Sequence, residues 1–337
     1  MLFRSHMVRL GIIGRNFVVD WMLAAAESVP ALRPVAIYSR RLETGREFAQ
    51  AHGLPLVFDR LEDLASCPEV DAVYIASPTG CHYDQARQML LAGKHVLCEK
   101  PAVVTARQLR ELLAIAREKG VVFLEAMRLV HDDALDVIRA ALPEIGPLRR
   151  VTFEFTQYSS RYDRIRAGEQ GINAFDPALS NGGIMDLGCY CLHAIAALFG
   201  APRRVRADCV RLSNGFDGGG IILLSYPGFV AEAIYSKISR QAAPTTLMGE
   251  DGSILVDDLN HIRRIWLQPR KGEARDLPFA EKLPNNMMYE LRHFCAMVQG
   301  EMDPAPWNRW SEITLDMMDA ARADMGVVFP ADAVSAP

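Results

Sequence analysis

The sequence predicts an α/β chain in two parts, a doubly wound parallel sheet followed by an α+β region built on an open, mostly antiparallel sheet. Three observations carry this. Up to about Met127, short apolar runs alternate with helical patterns, as in a parallel sheet covered on both faces. Beyond Arg149 the runs lengthen and alternate apolar with polar residues, the period of a half-buried strand. With 337 residues, 50% of them hydrophobic, the chain is long enough for two separate cores. We therefore divide it into residues 1–127 and 128–337.

In the first part the strands are VRLGII (8–13), RPVAIYS (33–39), PLVF (55–58), AVYIAS (72–77), HVLCE (95–99) and VVFLEA (121–126). Helical stretches lie between them: FVVDWMLAAAESV, ETGREFAQAHG, YDQARQMLLAGK and TARQLRELLAIAREKG. Two of these close on a glycine before the next strand, as a helix C-cap does, and AREKG and LAGKH bring a lysine to the negative end of the helix dipole. In the second part a helix over 132–142 stops at LPEIGP, and the acidic run HDDALD (131–136) reads as its solvated start. Long strands follow in RRVTFEFTQYS, RVRADCVRL, GGIILLSYPGFVAEAIYSKIS, GSILVDD and RRIWLQP, with SYPG (225–228) as a hairpin turn. One helix is expected around 182–199 and two more in MMYELRHFCAMVQG and WSEITLDMMDAARADM. So few helices cover only one face of such a sheet. The other face, rich in Val, Ile, Leu, Phe and Tyr, is expected to meet another subunit in a homodimer or homotetramer; a solvated, half-polar face is the alternative.

Charge and composition exclude several partners. The net charge is -4, without a basic block, so neither nucleic acid nor an acidic membrane is expected. No apolar run approaches the ~20 residues that span a bilayer, and no secretory signal pattern opens the chain. Seven scattered cysteines fit reduced thiols in a cytoplasm. CYCLH (189–193) has a superficial metal-site look, but its cysteines read as small packing residues and no metal is expected.

A strand feeding a glycine turn and then a helix aims backbone N–H groups at a pyrophosphate. GIIGRNFVVDW has that shape, with Gly14, Arg15, Asn16 and Phe17 as the candidate loop. Asn16 stands where the second fingerprint glycine belongs; its tolerance of left-handed backbone is expected to save the turn. Val19 takes the third position and is expected to push the helix slightly off the strand. The second strand ends in Ser39, Arg40 and Arg41 instead of the acidic residue that holds a free ribose. A hydroxyl and two guanidinium groups suit an extra ribose phosphate, so NADP is favoured over NAD.

Two later stretches carry chemistry. AGKHVLCEKPAVV runs a strand into Glu99, Lys100 and Pro101, placing a lysine at the carboxyl end of the parallel sheet. The proline restricts Lys100, whose ammonium can hold a substrate hydroxyl. In NGGIMDLGCYCLHAIAALFG, residues Asp186, Tyr190 and His193 are spaced four and three apart. On a regular helix they fall within about 60° of one another, a polar stripe on an apolar helix that needs polar partners. Gly182 and Gly183 allow close approach just before it.

These motifs together resemble the Gfo/Idh/MocA family of NAD(P)-dependent oxidoreductases. The resemblance runs from LGIIG through VYIASPTGCHYDQA, AGKHVLCEKP and GGIMDLGCYCLH to MGVVFPAD. It implies a Rossmann domain joined to a substrate domain whose open sheet makes subunit contacts. Lys100 then matches the lysine that touches substrate hydroxyl and nicotinamide ribose, and Tyr190 the proton donor or acceptor of the sugar and dihydrodiol branches. A histidine at that place in the inositol branch makes Tyr190 argue against an inositol substrate. Asp186 would orient the substrate, with His193 behind it or on a hydroxyl; Ser77, Pro78 and His82 match the loop at the nicotinamide pocket, which Glu99 borders. Relatives sharing YSSRYD (158–163) make Arg161 and Tyr162 substrate-pocket candidates. The implied activity is hydride transfer between nicotinamide and a carbinol or carbonyl carbon of a sugar, polyol or dihydrodiol. The alternative is a cofactor-binding sensor or scaffold without turnover.

Overall fold

Leu10 and Ile12 of strand β1 (Val8–Ile13) are wholly buried, because strands pair with β1 on both sides and helices close over the sheet. In the computed structural model, which describes residues 7–240, 243–280 and 285–333, β1 pairs in parallel with β2 (Leu32–Tyr38) and β4 (Ala72–Ile75). With β3 (Leu56–Phe58), β5 (His95–Glu99) and β6 (Phe123–Ala126) the order is β3-β2-β1-β4-β5-β6. The order reverses between β1 and β4, the switch point at which open parallel sheets bind ligands beyond their carboxyl ends. Helices α1 (Phe17–Ala26), α2 (Leu42–His52), α3 (Leu61–Ser66), α4 (His82–Leu91) and α5 (Ala106–Lys119) connect the strands. Sequence sets their ends: Thr105 and Gln108 form a capping box at the start of α5, and Gly120 closes it in left-handed backbone.

The chain forms two units, Met1–His131 with Leu283–Arg309 and Asp132–Lys282 with Trp310–Pro337. The first crossing falls near the expected boundary, but the helix Met287–Val298 belongs with the first unit. Its buried residues Leu291, Phe294 and Met297 share a core with Met22 of α1 and with Leu10 and Ile12 of β1. A division by sequence order assigned this helix to the second part, because an apolar helical face does not announce which sheet it covers.

The second unit holds α6 (Ala134–Ala141), β7 (Leu148–Thr156), α7 (Tyr162–Arg166) and α8 (Cys189–Phe199), followed by a run of strands. These are β8 (Arg204–Arg211), β9 (Asp217–Tyr226), β10 (Phe229–Ser236), β11 (Thr245–Gly249), β12 (Gly252–Val256), β13 (Ile265–Pro269) and β14 (Arg275–Asp276). The eight-stranded sheet runs β14-β13-β12-β11-β7-β10-β9-β8; β7 and β10 are parallel and the other pairs antiparallel. The SYPG turn forms as expected, with Tyr226 opposite Phe229 and Gly228 at φ 87°. Val151, Phe153, Ile222, Leu224, Ala231 and Ala233 fill the covered face. On the opposite face Val210 and Ile221 are 59% and 53% exposed, with Leu223, Val230 and Met248 also open, beside the ion pair Arg150–Glu232.

Candidate functional site

In the first unit three loops at the carboxyl end of the sheet are tied together. Gly14 adopts φ +118°, and a Cβ there would stand 2.5 Å from the Ala76 carbonyl oxygen, so the first turn needs glycine. Asn16 behaves differently from expectation. Its backbone is extended (φ -91°, ψ 173°), not left-handed, and it is the N-cap of α1: Oδ1 accepts from the Val18 N–H at 3.0 Å. Its Nδ2 donates to the Ala76 carbonyl at 2.8 Å, joining the β1–α1 turn to the end of β4. The turn survives because an asparagine can do both jobs, for which tolerance of positive φ is not needed. Val19 is fully buried in the core with Met22. Phe17 is 56% exposed, with its ring edge-on to Trp21.

The β2 turn also departs in one respect. Ser39 is 5% exposed, its N–H donating to the Phe58 carbonyl and its hydroxyl 3.0 Å from that of Thr44. Tight packing explains this: a Cβ on Gly45 would come within 3.1 Å of Ser39 Cβ. The hydroxyl is thus turned inward, while Arg40 and Arg41 are exposed and exposed Arg15 reaches the Thr44 carbonyl at 3.5 Å. Exposed Arg15, Arg40 and Arg41 therefore lie in the turns that follow β1 and β2.

Beyond β4, Ser77 donates from its hydroxyl to Gln85 Oε1 at 2.6 Å. His82 is buried, with Nε2 2.8 Å from the Ser77 carbonyl oxygen and Nδ1 3.2 Å from that of Pro101. It holds two loops together instead of lining a pocket, and burial lowers its pKa against the pull of those carbonyls. Lys100 precedes Pro101 through a cis peptide bond that the sequence did not announce. Glu99 accepts from the Tyr74 hydroxyl at 2.6 Å and from the Lys100 N–H at 3.2 Å. Burial raises the Glu99 carboxyl, while the Tyr74 hydrogen bond and the charges of Lys100 and Arg128 oppose the rise. Two acids missing from the expected set complete this region. Glu125 on β6 accepts from the Ala102 N–H at 2.9 Å, and buried Glu290 is pushed well up by desolvation and by the neighbouring charge of Glu99. The available signal for Glu290 was a lone acid in the apolar run MMYELRHF.

In the second unit the motif helix opens with a π-turn, Ile184–Gly188, before α8. Buried Asp217 fixes its start: Oδ2 accepts from the Ile184 N–H at 2.7 Å and from the Tyr235 hydroxyl at 3.0 Å. A Cβ on Gly182 would lie 2.3 Å from Asp217 Oδ1, and one on Gly183 2.4 Å from the Asp217 carbonyl oxygen, so both glycines are required for the approach. Tyr190 is buried, its ring edge-on to Phe155 at 5.3 Å. Asp186 pairs with Lys237, another residue the sequence reading missed. Tyr162 stacks on Phe175, 6.0 Å between centroids, and Lys237 lies 5.4 Å from the same Phe175 ring. Arg161 is exposed beside them. His193 is 1% exposed and burial pulls its pKa down to about 3, so it is a neutral group within the helix and takes no part as a charged one at neutral pH. Cys189 and Cys191 are buried, free thiols, and among the described residues no three His, Cys, Asp or Glu side chains group to hold a metal.

The profile described as "Oxidoreductase family, NAD-binding Rossmann fold" matches residues 8–127, and that of the "GFO/IDH/MocA C-terminal domain" matches residues 140–255. The chain belongs to the Gfo/Idh/MocA oxidoreductase family. Its first unit is the family's NAD-binding Rossmann fold, and the backbone of Gly14 with the three arginines fits a dinucleotide. It is 39% identical over 328 residues to the scyllo-inositol 2-dehydrogenase (NADP(+)) of Bacillus subtilis, covering 97% of this chain and 99% of that one. It is 31% identical over 351 residues to the trans-1,2-dihydrobenzene-1,2-diol dehydrogenase of Bos taurus, covering 98% and 99%. Among solved structures it shares the fold of KijD10, a 3-ketoreductase from Actinomadura kijaniata in complex with NADP and TDP-benzene, with TM-score 0.82, 24% identity and 96% and 99% coverage. The first of these relatives is named for an inositol, the substrate against which Tyr190 argues in the sequence. No helix among the described residues is long and apolar enough to cross a membrane.

Proposed function

We propose that this protein is an NADP-dependent dehydrogenase that interconverts a secondary alcohol and a ketone on a cyclitol or sugar-like substrate. The observation that carries the reading is the motif helix, whose start is held by Asp217 and which bears Asp186 in a polar cluster and Tyr190 one turn further on. The family relatives named as an NADP(+) scyllo-inositol dehydrogenase and as a dihydrodiol dehydrogenase support the same class. When bound, the nicotinamide accepts or returns the hydride. Gly14 and Asn16 hold the loop beneath the pyrophosphate, and Arg15, Arg40 and Arg41 neutralise the additional ribose phosphate that distinguishes NADP.

In the oxidation direction the carbinol carbon gives up its hydrogen as hydride while its hydroxyl proton passes to the Tyr190 oxygen, which takes it in the phenolate form. Lys100 holds that same oxygen and stabilises negative charge as it develops. Asp186 accepts from a neighbouring substrate hydroxyl, Arg161 and Tyr162 border the substrate, and His193 supports the helix as a neutral group. Replacing Tyr190 by Phe is expected to lower kcat by about 10²-fold or more, the share of one positioned proton-transfer group, with NADPH binding unchanged. Unaltered turnover would remove Tyr190 from the mechanism. The open sheet face and the seven free thiols support two further parts of the reading, a homo-oligomer formed through that face and work in a reducing cytoplasm.

A further inference from the structure

Lys237 follows β10 and is 9% exposed. A buried ammonium is costly without an opposing charge, and its partner is the Asp186 carboxylate. The lysine is fixed from both sides along its backbone: its N–H donates to the Gly218 carbonyl at 2.7 Å, and its carbonyl accepts from the Ser159 N–H at 2.9 Å. The aromatic ring of Phe175 lies 5.4 Å from Nζ. Asp186 differs in that 41% of its side chain is exposed, within a π-turn of the kind that recurs at functional sites. A buried lysine with a hydrogen-bonded backbone thus holds a half-exposed carboxylate one turn before Tyr190.

We infer that Lys237 is a positioning residue that keeps Asp186 as half of a neutral ion pair, and that the pair selects an uncharged, hydroxyl-bearing substrate over an amine or an acid. A lone Asp186 would draw an ammonium, and a lone Lys237 a carboxylate. Together their charges cancel, leaving an acceptor and a donor side by side. That set complements a hydroxyl next to another hydroxyl or a ketone, since one oxygen donates and its neighbour accepts. The inference rests on the oxidoreductase reading and narrows its substrate class.

The test is calorimetric binding to the NADPH-loaded protein of scyllo-inositol and of 1-amino-1-deoxy-scyllo-inositol, which carries an ammonium at neutral pH. The wild-type protein should prefer the neutral ring. Lys237→Met should weaken scyllo-inositol by about tenfold and strengthen the amine by a similar factor, the scale of one close charge pair. Lys237→Arg should restore the wild-type order, and Lys237→Met combined with Asp186→Asn should bring the two affinities close together. A lysine that served only the fold would weaken both ligands alike. Should Lys237→Met not fold, Asp186→Asn alone, which leaves the ammonium unopposed, should disfavour the amine further. An affinity ratio unmoved by these changes would overturn the inference. So would a wild-type protein that binds NADPH but neither ring, an outcome that leaves hydride transfer with other substrates to its own assay.

Discussion

Asn16 shows how a residue can break a motif and keep its purpose. The glycine fingerprint was legible, and the asparagine could be recognised as a departure. Its role could not, because the Ala76 carbonyl it binds lies sixty positions away in sequence. Returning the position to the fingerprint residue, Asn16→Gly, loses that hydrogen bond and the cap on Val18, for about 1 kcal/mol of stability by urea unfolding. An unchanged midpoint would mean the two bonds contribute nothing. His193 gives a prediction in pH. Its folded pKa is about 3 against 6.5 for the ordinary imidazole, so below about pH 6.5 the unfolded chain takes up a proton that the folded chain refuses. Its contribution is complete above that pH and is lost as pH falls toward 3, by up to about 1.4 kcal/mol per pH unit. His193→Gln should flatten the slope of stability between pH 4 and 6.5; an identical slope would assign it to other groups.

At the scale of the element, the helix carrying Asp186 and Tyr190 was visible as an element, and Gly182 and Gly183 were correctly read as close-approach residues. What presses against them, Asp217, was hidden in NGFDGGG, where an acid before glycines looks like a turn. Across the π-turn the step per residue is no longer 100°, so regular helical spacing does not hold there. Asp186 is half exposed while His193, expected on its face, is buried in the core. Asp217→Ala strips acceptors from the Ile184 N–H and the Tyr235 hydroxyl, and should cost about 2–4 kcal/mol. Asp217→Asn, which keeps one oxygen, should cost less. Equal losses in the two variants would show that volume, not hydrogen bonding, is what the position supplies.

For the whole molecule, both sheets were legible from the change of period after Arg149, because side-chain alternation is a local signal. The place of Met287–Val298 was not, since its partner core in α1 lies far away in sequence. The open face of the second sheet was foreseen as a subunit contact, and Ile221 and Val210 on it remain well exposed. If that face joins two copies, Ile221→Asp should shift the protein to a monomer by sedimentation; a wild-type monomer would refute the oligomer outright. The measurement that bears most directly on the account is the appearance of reduced nicotinamide when the purified protein meets NADP⁺ or NAD⁺ with cyclitols and sugars. NADP⁺ should be reduced in preference to NAD⁺ by at least one polyol, and Tyr190→Phe should abolish that reduction. Protein that binds NADPH yet reduces neither cofactor with any polyol would contradict this expectation, and would make the chain a binding protein built on an oxidoreductase fold.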